Sequence, residues 1–333
     1  MTIRFAVLGA GRIGKVHARA IGASEGARLV AVFDPVEASA VALATAWGAE
    51  RRSIDAILAS DDIDAIAICT PTDTHADLIE RGVRAGKAIF CEKPVDLSVA
   101  RVRQCLDVVA AEGGRLMVGF NRRFDPHFRA LKAAIDEGAV GRIEMITITS
   151  RDPGPPPAEY IRSSGGIFKD MTIHDLDMAR FLLGEEIAFV SATGAALVDP
   201  AIGTLGDFDS ASLILETASG RQCLISNSRR AAYGYDQRVE VLGETGMIAV
   251  ENQRPVSIEI AGASGFTRPP LHDFFMTRYV EAYAAEIATF IAGLTQGTPL
   301  SPTGQDGLQA LVLAEAALRS VQEGRRVATA EIV

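Results

Sequence analysis

Hydrophobic residues follow two different patterns along the chain, and the change comes near residue 120. The first 120 residues contain short runs that are almost continuously apolar, at 3–8, 28–33, 65–69, 88–91 and 116–119. Strands buried on both faces have this composition, whereas strands with one exposed face alternate. The stretches between them have helical patterns, at 13–23, 36–47, 74–85 and 98–112. This order predicts a doubly wound parallel sheet with helices on both faces.

The second pattern, from residue 121 onward, predicts an α+β domain with a largely antiparallel sheet. Alternating segments separated by turn residues indicate half-exposed strands at 142–150, 187–194, 210–216, 222–228, 238–242, 247–250 and 257–260. Helices are predicted at 125–137, 170–183, 277–291 and 305–320, and the proline-rich segment 152–157 is a loop. We therefore divide the chain into domains at 1–120 and 121–333. Because such a sheet leaves one face uncovered, we expect a homo-oligomer.

Composition and charge narrow the class of protein. Hydrophobic residues make up 48% of the chain and charged residues 23%, as in folded globular proteins. The net charge of -9 argues against a nucleic-acid partner, since such proteins concentrate Lys and Arg. The four cysteines have no metal-ligand spacing, and no apolar run reaches the ~18 to 20 residues of a membrane span. With no signal-peptide pattern, we expect a cytoplasmic protein that has no membrane partner and no metal.

A glycine-rich turn follows the first predicted strand and opens the first predicted helix. Its sequence, GAGRIG, matches the G-x-G-x-x-G pattern. Such glycines let the backbone approach a pyrophosphate, which rests on the positive end of the helix dipole. In this strand–turn–helix context the pattern predicts a Rossmann-type dinucleotide site. The predicted cofactor contacts are Gly9, Gly11, Arg12, Ile13 and Gly14.

Further candidate cofactor contacts stand at the ends of two other strands. Asp34 follows the second predicted strand, where an acidic residue binds the adenosine ribose hydroxyls and repels a 2′-phosphate. It therefore favours NAD over NADP, although an ordinary Asp at a strand-to-helix turn is the alternative. Thr70, Pro71 and Thr72 follow strand 65–69 and are expected to line the cofactor. His75 either contacts the cofactor or caps the following helix.

A lysine stands where the strand 88–91 opens into the same crevice, within Glu92-Lys93-Pro94. The ammonium group of Lys93 can lower the pKa of a substrate hydroxyl and stabilise a developing alkoxide. The alternative is a solvated surface lysine. Glu92 and Lys93 are both predicted to contact the cofactor.

The predicted helix 170–183 carries the candidate acid/base pair. An uninterrupted α-helix places Asp170, His174 and Asp177 at i, i+4 and i+7 on one face. A carboxylate one turn from an imidazole can orient it and stabilise its charged form, so His174 is a candidate general base. Two alternatives stay open, namely a metal site that includes Asp175 and a structural histidine.

Five motifs, in this order along the whole chain, resemble the glucose–fructose oxidoreductase and inositol dehydrogenase family. They are GAGRIGKVH at 9–17, EKP at 92–94, GFNRRFDP at 119–126, DMTIHD at 170–175 and DGL at 306–308. Segments 164–182 and 233–238 are most similar to the inositol 2-dehydrogenase branch of that family.

The resemblance implies NAD-dependent oxidation of a secondary hydroxyl of a cyclic polyol, first of all myo-inositol. It implies a catalytic group of Lys93, Asp170 and His174, with His174 as acid/base, Asp170 as its electrostatic partner and Lys93 polarising the substrate oxygen. Arg123 and Tyr235 are implied as further substrate contacts. It also implies a homotetramer formed through the second domain's sheet. Alternatives are a scyllo-inositol or sugar dehydrogenase, or a non-catalytic NAD-binding sensor.

Overall fold

The structure, a computed structural model, describes residues 2–332, and these form two compact units. The first unit runs to Asp125 and also includes Glu281–Leu311. The second unit consists of Pro126–Val280 and Val312–Ile332.

The segment 281–311 differs from the predicted division, which assigned everything after residue 120 to the second domain. In the structure it belongs to the first unit, because Ile287, Phe290 and Ile291 are buried in the first unit's core. There the ring of Phe290 contacts the rings of Phe5 and Phe90. An apolar helical face is visible in the sequence, but the core that it joins is not.

The first unit contains one parallel sheet with the strand order β3-β2-β1-β4-β5-β6. The strands are β1 (Ile3–Leu8), β2 (Ala27–Phe33), β3 (Glu50–Arg51), β4 (Ala65–Ile68), β5 (Ala88–Glu92) and β6 (Leu116–Gly119). The helices are α1 (Arg12–Gly22), α2 (Glu37–Trp47), α3 (Ile54–Leu58), α4 (His75–Arg84) and α5 (Val99–Ala111). Strands β4 and β6 are buried along their whole length, which explains their continuous apolar sequences. The predicted doubly wound sheet is confirmed.

The second unit contains a seven-stranded sheet with the order β12-β11-β7-β10-β9-β8-β15. The strands are β7 (Ile143–Arg151), β8 (Ile187–Ala195), β9 (Ser210–Thr217), β10 (Gln222–Ser228), β11 (Asp236–Gly243), β12 (Gly246–Val250) and β15 (Val327–Ala328). Only the pair β7 and β10 is parallel, so the sheet is mostly antiparallel, as predicted. Residues of β9 and β10 alternate between buried and more exposed positions, which reproduces the alternation in the sequence.

Short helices and a separate hairpin complete the second unit, and two long helices close the chain. The helices are α6 (Pro126–Asp136), α7 (Ala158–Ser164), α8 (Ile173–Leu183), α9 (Pro200–Thr204), α10 (Phe275–Arg278), α11 (Val280–Gln296) and α12 (Gly304–Glu323). The predicted strand 257–260 is wrong: β13 (Ile260–Gly262) pairs only with β14 (Gly265–Thr267), outside the large sheet. No helix within residues 2–332 has both the length and the apolar character to cross a bilayer.

Candidate active site

The glycine-rich turn links β1 to the N-terminus of α1 and packs tightly on itself. A methyl group on Gly14 would lie 1.8 Å from the carbonyl oxygen of Gly9, so a larger residue would force the turn apart. A methyl group on Gly11, by contrast, would meet no described protein atom within 4 Å. Gly11 is also the N-cap of α1, and no described side chain caps it. The amides of the first turn and the open space beside them fit a dinucleotide pyrophosphate.

Asp34, at the end of β2, is bound to this turn. Its Oδ2 accepts a hydrogen bond from the Ala10 amide at 2.7 Å, and its Oδ1 accepts one from the Val36 amide at 2.8 Å. The carboxylate therefore fixes the end of β2 against the glycine-rich turn. Each carboxylate oxygen can accept more than one hydrogen bond, so capacity for ribose hydroxyls is left.

Thr70, Pro71 and Thr72 follow β4, and His75 is the first residue of α4. The His75 ring lies between two carbonyl oxygens, with Nε2 2.8 Å from the Thr70 oxygen and Nδ1 2.8 Å from the Pro94 oxygen. Burial lowers the pKa of His75, and a neutral imidazole carries only one N–H. The ring therefore donates to one of the two carbonyl oxygens and lies against the other, between the segments that follow β4 and β5, a placement that the sequence does not reveal.

Glu92 ends β5, and its carboxylate points into the first unit. Its Oε1 lies 2.5 Å from Nε2 of the buried His17, while its Oε2 accepts a longer hydrogen bond of 3.3 Å from the Lys93 amide. The His17 ring also contacts the rings of Phe90 and Tyr283. In the sequence, only its place in the GAGRIGKVH motif distinguishes His17. In the structure it fixes the side chain that precedes Lys93.

The region around Asp170 is not the uninterrupted helix that the sequence predicts. Phe168–Thr172 forms a π-helical turn, and α8 begins only at Ile173. Because a π-turn holds more residues than an α-turn, the i, i+4, i+7 spacing no longer defines one face. The prediction of one uninterrupted helix over 170–183 is therefore wrong, and a shared face for Asp170, His174 and Asp177 stays a prediction.

The Asp170 carboxylate is held from two directions. Its Oδ2 accepts a hydrogen bond from Nη1 of Arg229 at 3.2 Å, and its Oδ1 accepts one from the Tyr160 hydroxyl at 2.8 Å. Arg229 is only 1% exposed and also faces Asp207, with Nη2 3.8 Å from Oδ2. Asp207 in turn accepts a hydrogen bond from the Ile167 amide at 2.9 Å, which fixes the start of the π-turn.

A second buried polar group anchors the first turn of α8. The Asn227 amide on β10 donates to Asp175 at 2.8 Å and accepts a hydrogen bond from the Thr172 hydroxyl at 2.7 Å. Asp175 and Thr172 are fully buried. These hydrogen bonds hold the residues on either side of His174 against the sheet. Within residues 2–332, no cluster of three or more His, Cys, Asp or Glu side chains is arranged to hold a metal ion.

The two implied substrate contacts lie in different units. Arg123, in the first unit, donates a hydrogen bond of 3.0 Å to Asp306 at the start of α12. Tyr235, in the second unit, is buried and packs edge-on against Phe274 and Tyr279. The candidate catalytic residues are divided as well, since Lys93 lies in the first unit and Asp170 and His174 in the second.

Comparison with known proteins assigns the chain to a family. The oxidoreductase family with an NAD-binding Rossmann fold matches residues 3–120, and the GFO/IDH/MocA C-terminal domain matches residues 128–249. Inositol 2-dehydrogenase of Rhizobium meliloti (strain 1021) is 66% identical over 330 residues, which are 99% of this chain and 100% of the relative. The chain belongs to the GFO/IDH/MocA oxidoreductase family. The resemblance seen in the motifs is confirmed.

Solved structures of family members have the same fold as this oxidoreductase. A myo-inositol dehydrogenase from Corynebacterium glutamicum ATCC 13032 has a TM-score of 0.95 at 46% identity, covering 98% of this chain and 99% of that one. A scyllo-inositol dehydrogenase from Lactobacillus casei, with bound NAD(H) and scyllo-inositol, has a TM-score of 0.93 at 29% identity, covering 99% and 100%. The chain is an NAD-dependent dehydrogenase that acts on CH–OH donors, as predicted.

Proposed function

We propose that this dehydrogenase oxidises the hydroxyl at carbon 2 of myo-inositol to a ketone. The observation that carries the proposal is the 66% identity to an inositol 2-dehydrogenase over 99% of the chain, which includes the whole second unit with Asp170 and His174. A relative that shared only the dinucleotide-binding unit would support the identification of the cofactor but not that of the substrate.

The reaction breaks one C–H bond and one O–H bond of the substrate. When bound, NAD supplies the acceptor for the hydride from the carbon. We assign the hydroxyl proton to His174, which becomes imidazolium and later loses the proton to solvent. Lys93 stabilises the negative charge that develops on the oxygen as its proton leaves. The products are the ketone, reduced cofactor and one proton.

Asp170 acts on His174 through its charge and through its fixed position. The two residues are four positions apart in the sequence, and a negative charge held close to an imidazolium favours the cation. Arg229 and Tyr160 hold the carboxylate at 3.2 and 2.8 Å, so it needs no rearrangement during the reaction.

Turnover of a polyol panel tests the proposed function. The enzyme, NAD and each of myo-inositol, scyllo-inositol and D-glucose are mixed, and the absorbance of reduced nicotinamide is followed. We expect the highest kcat/KM with myo-inositol. A higher kcat/KM with scyllo-inositol or D-glucose would identify that compound, and not myo-inositol, as the substrate. No turnover of any polyol would contradict the proposal.

Substitution of Asp34 is expected to weaken the preference for NAD over NADP. The variants Asp34→Ala and Asp34→Asn both remove the charge that repels a 2′-phosphate, so the ratio of kcat/KM values should fall by about tenfold or more. Asn keeps an acceptor for the Ala10 amide, so its KM for NAD should rise less than that of the Ala variant. An unchanged ratio in both variants would contradict the role of Asp34.

We propose further that a second copy of the chain covers the open face of the large sheet. Met247, Leu242 and Met145 lie side by side on β12, β11 and β7, and they are 54%, 43% and 37% exposed. Ile214 on β9 is also 43% exposed. An exposed apolar row of this kind on a sheet is typical of an interface between subunits. We expect a homotetramer.

The mass of the particle in solution tests this interface. Leu242→Arg places a charge in the apolar row and should give particles smaller than the wild type in light scattering after size-exclusion chromatography. Val41→Arg on α2 is the matched control, because Val41 is 45% exposed, and it should leave the mass unchanged. A monomeric wild type, or a Leu242→Arg variant of wild-type mass, would contradict the proposed interface.

We also propose a cytoplasmic location. All four cysteines are free, buried thiols, namely Cys69, Cys91, Cys105 and Cys223. Unpaired thiols are usual in a reducing compartment.

A further inference from the structure

Asp207 is a buried carboxylate to which the reaction described above gives no role. It lies in the connection between α9 and β9 and is only 8% exposed. Its Oδ1 accepts the hydrogen bond from the Ile167 amide at 2.9 Å, and its Oδ2 faces Nη2 of Arg229 at 3.8 Å. One side chain therefore contacts both the start of the π-turn that carries Asp170 and the cation that binds Asp170.

Two glycines make room for Asp207 beside the backbone. Gly165 and Gly166 precede the π-turn and have φ of 81° and 83°, in the left-handed region that glycine adopts without strain. A methyl group on Gly166 would lie 2.8 Å from Oδ1 of Asp207. That distance is shorter than a van der Waals contact, so any larger residue would displace the carboxylate from the Ile167 amide. The backbone before the π-turn is thus shaped to receive this side chain.

The segment that carries Asp207 is fixed by hydrogen bonds of its own. The carboxylate of Asp209, two residues further on, accepts hydrogen bonds of 2.8 to 2.9 Å from the amides of Leu197, Val198 and Asp199. The Asp209 carbonyl oxygen accepts a hydrogen bond of 2.7 Å from the Arg229 amide. Hydrogen bonds outside the candidate catalytic group thus hold the backbones of Asp207 and Arg229 next to each other.

Asp207 limits where the Arg229 guanidinium can lie. Arg229 is only 1% exposed, and a buried cation requires compensating negative charge. Within residues 2–332, Nη2 of Arg229 has no hydrogen-bond partner, so on this side the attraction to Asp207 holds the group. Loss of Asp207 would let the guanidinium move relative to Asp170 and would leave the Ile167 amide without its acceptor. Both changes act on the position of the Asp170 carboxylate.

We propose that Asp207 is a positioning residue, which sets the place of the Asp170 carboxylate through Arg229 and through the Ile167 amide. The proposal rests on the function proposed above, because that function gives Asp170 its part in the reaction beside His174. Asp207 itself contacts neither substrate nor cofactor in this assignment. Its removal affects catalysis because a displacement of about 1 Å can cost a reaction about 100-fold in rate.

A double-mutant cycle tests whether Asp207 acts through Asp170. The four enzymes are wild type, Asp207→Ala, Asp170→Asn and the double variant, each with NAD and myo-inositol. In the wild-type background, Asp207→Ala should lower kcat by about 10- to 100-fold. The KM for myo-inositol should stay within about threefold, because Asp170 acts on charge that develops during the reaction. In the Asp170→Asn background, the same substitution should lower kcat by no more than about twofold, since the charge that Asp207 positions is already absent.

Two further variants separate positioning from stability. Asp207→Asn keeps an acceptor for the Ile167 amide, so it should lower kcat less than Asp207→Ala does, and the cycle is repeated with it if the Ala variant does not fold. Asp199→Ala is the matched control. It removes the carboxylate that accepts a hydrogen bond of 2.9 Å from the Ala201 amide at the start of α9, so it should lower the midpoint of urea-induced unfolding and leave kcat unchanged.

The cycle can contradict the assignment of Asp207 in two ways. Equal losses of kcat in the two backgrounds would show that Asp207 only stabilises the fold, and an unchanged kcat in Asp207→Ala would show that it has no part in catalysis. Either result overturns the proposal while the dehydrogenase function stands. If the wild type oxidises no polyol, the proposed function itself fails.

Discussion

Replacement of His174 by alanine is expected to lower kcat with myo-inositol by about 100- to 10,000-fold, the usual contribution of a positioned acid/base group. Without the imidazole, the hydroxyl proton has no acceptor as the hydride leaves. The affinity for NAD should stay within about threefold of wild type, because the dinucleotide contacts lie in the first unit. Steady-state kinetics give kcat, and isothermal titration calorimetry gives the affinity.

Three further measurements distinguish the loss of a proton acceptor from general damage to the structure of the His174→Ala variant. His127→Ala, an exposed histidine on α6, is the matched control and should retain wild-type kcat. Free imidazole should partly restore turnover of His174→Ala, since it replaces the missing proton acceptor. Lys93→Ala should also lower kcat strongly, but imidazole should not rescue it. A His174→Ala variant with near wild-type kcat, or one that loses NAD binding instead, would contradict the acid/base assignment.

Replacement of Arg229 by methionine is expected to lower the free energy of unfolding of the second unit by about 3 to 5 kcal/mol. The guanidinium is buried between Asp170 and Asp207, whose side chains are only 14% and 9% exposed. Removing the cation leaves two carboxylates in an interior that solvates them poorly. The midpoint of urea-induced unfolding should therefore fall markedly.

Neighbouring substitutions make the Arg229 test specific. Arg230→Met changes the adjacent but exposed arginine and should alter the free energy of unfolding by no more than about 0.5 kcal/mol. Adding Asp207→Asn to Arg229→Met removes one of the two unpaired charges and should restore part of the lost stability. Equal unfolding midpoints for Arg229→Met and Arg230→Met would show that the buried Arg229 cation does not stabilise the second unit.

Much of the first unit could be predicted, because its physical signals are local in the sequence. Strands buried on both faces must be apolar throughout, and β1 and β6 have the predicted bounds. The glycine-rich turn is equally local, since the close contact of Gly14 with Gly9 involves residues only five positions apart. Asp34 was predicted for the ribose, but its hydrogen bond to Ala10 depends on how β2 lies beside β1.

The supports of the candidate catalytic residues could not be predicted, because they come from distant parts of the chain. Arg229 stands beside Arg230 in the sequence, and only the fold buries one and exposes the other. Tyr160 follows a proline-rich loop, and nothing local indicates its contact with Asp170. The π-turn has the composition of an ordinary helix, so periodicity alone predicts an uninterrupted α-helix through Asp170. Hydrogen bonds between distant segments leave no periodic pattern in a sequence.

Transfer of a hydrogen label tests the central claim most directly. The enzyme is incubated with NAD and myo-inositol that carries deuterium at carbon 2, and the reduced cofactor and the product are analysed by mass spectrometry. We expect one deuterium in the reduced cofactor and an unlabelled ketone, because the hydride leaves the same carbon whose hydroxyl proton is removed. Reduced cofactor without deuterium, or no reduction at all, would contradict oxidation at this hydroxyl.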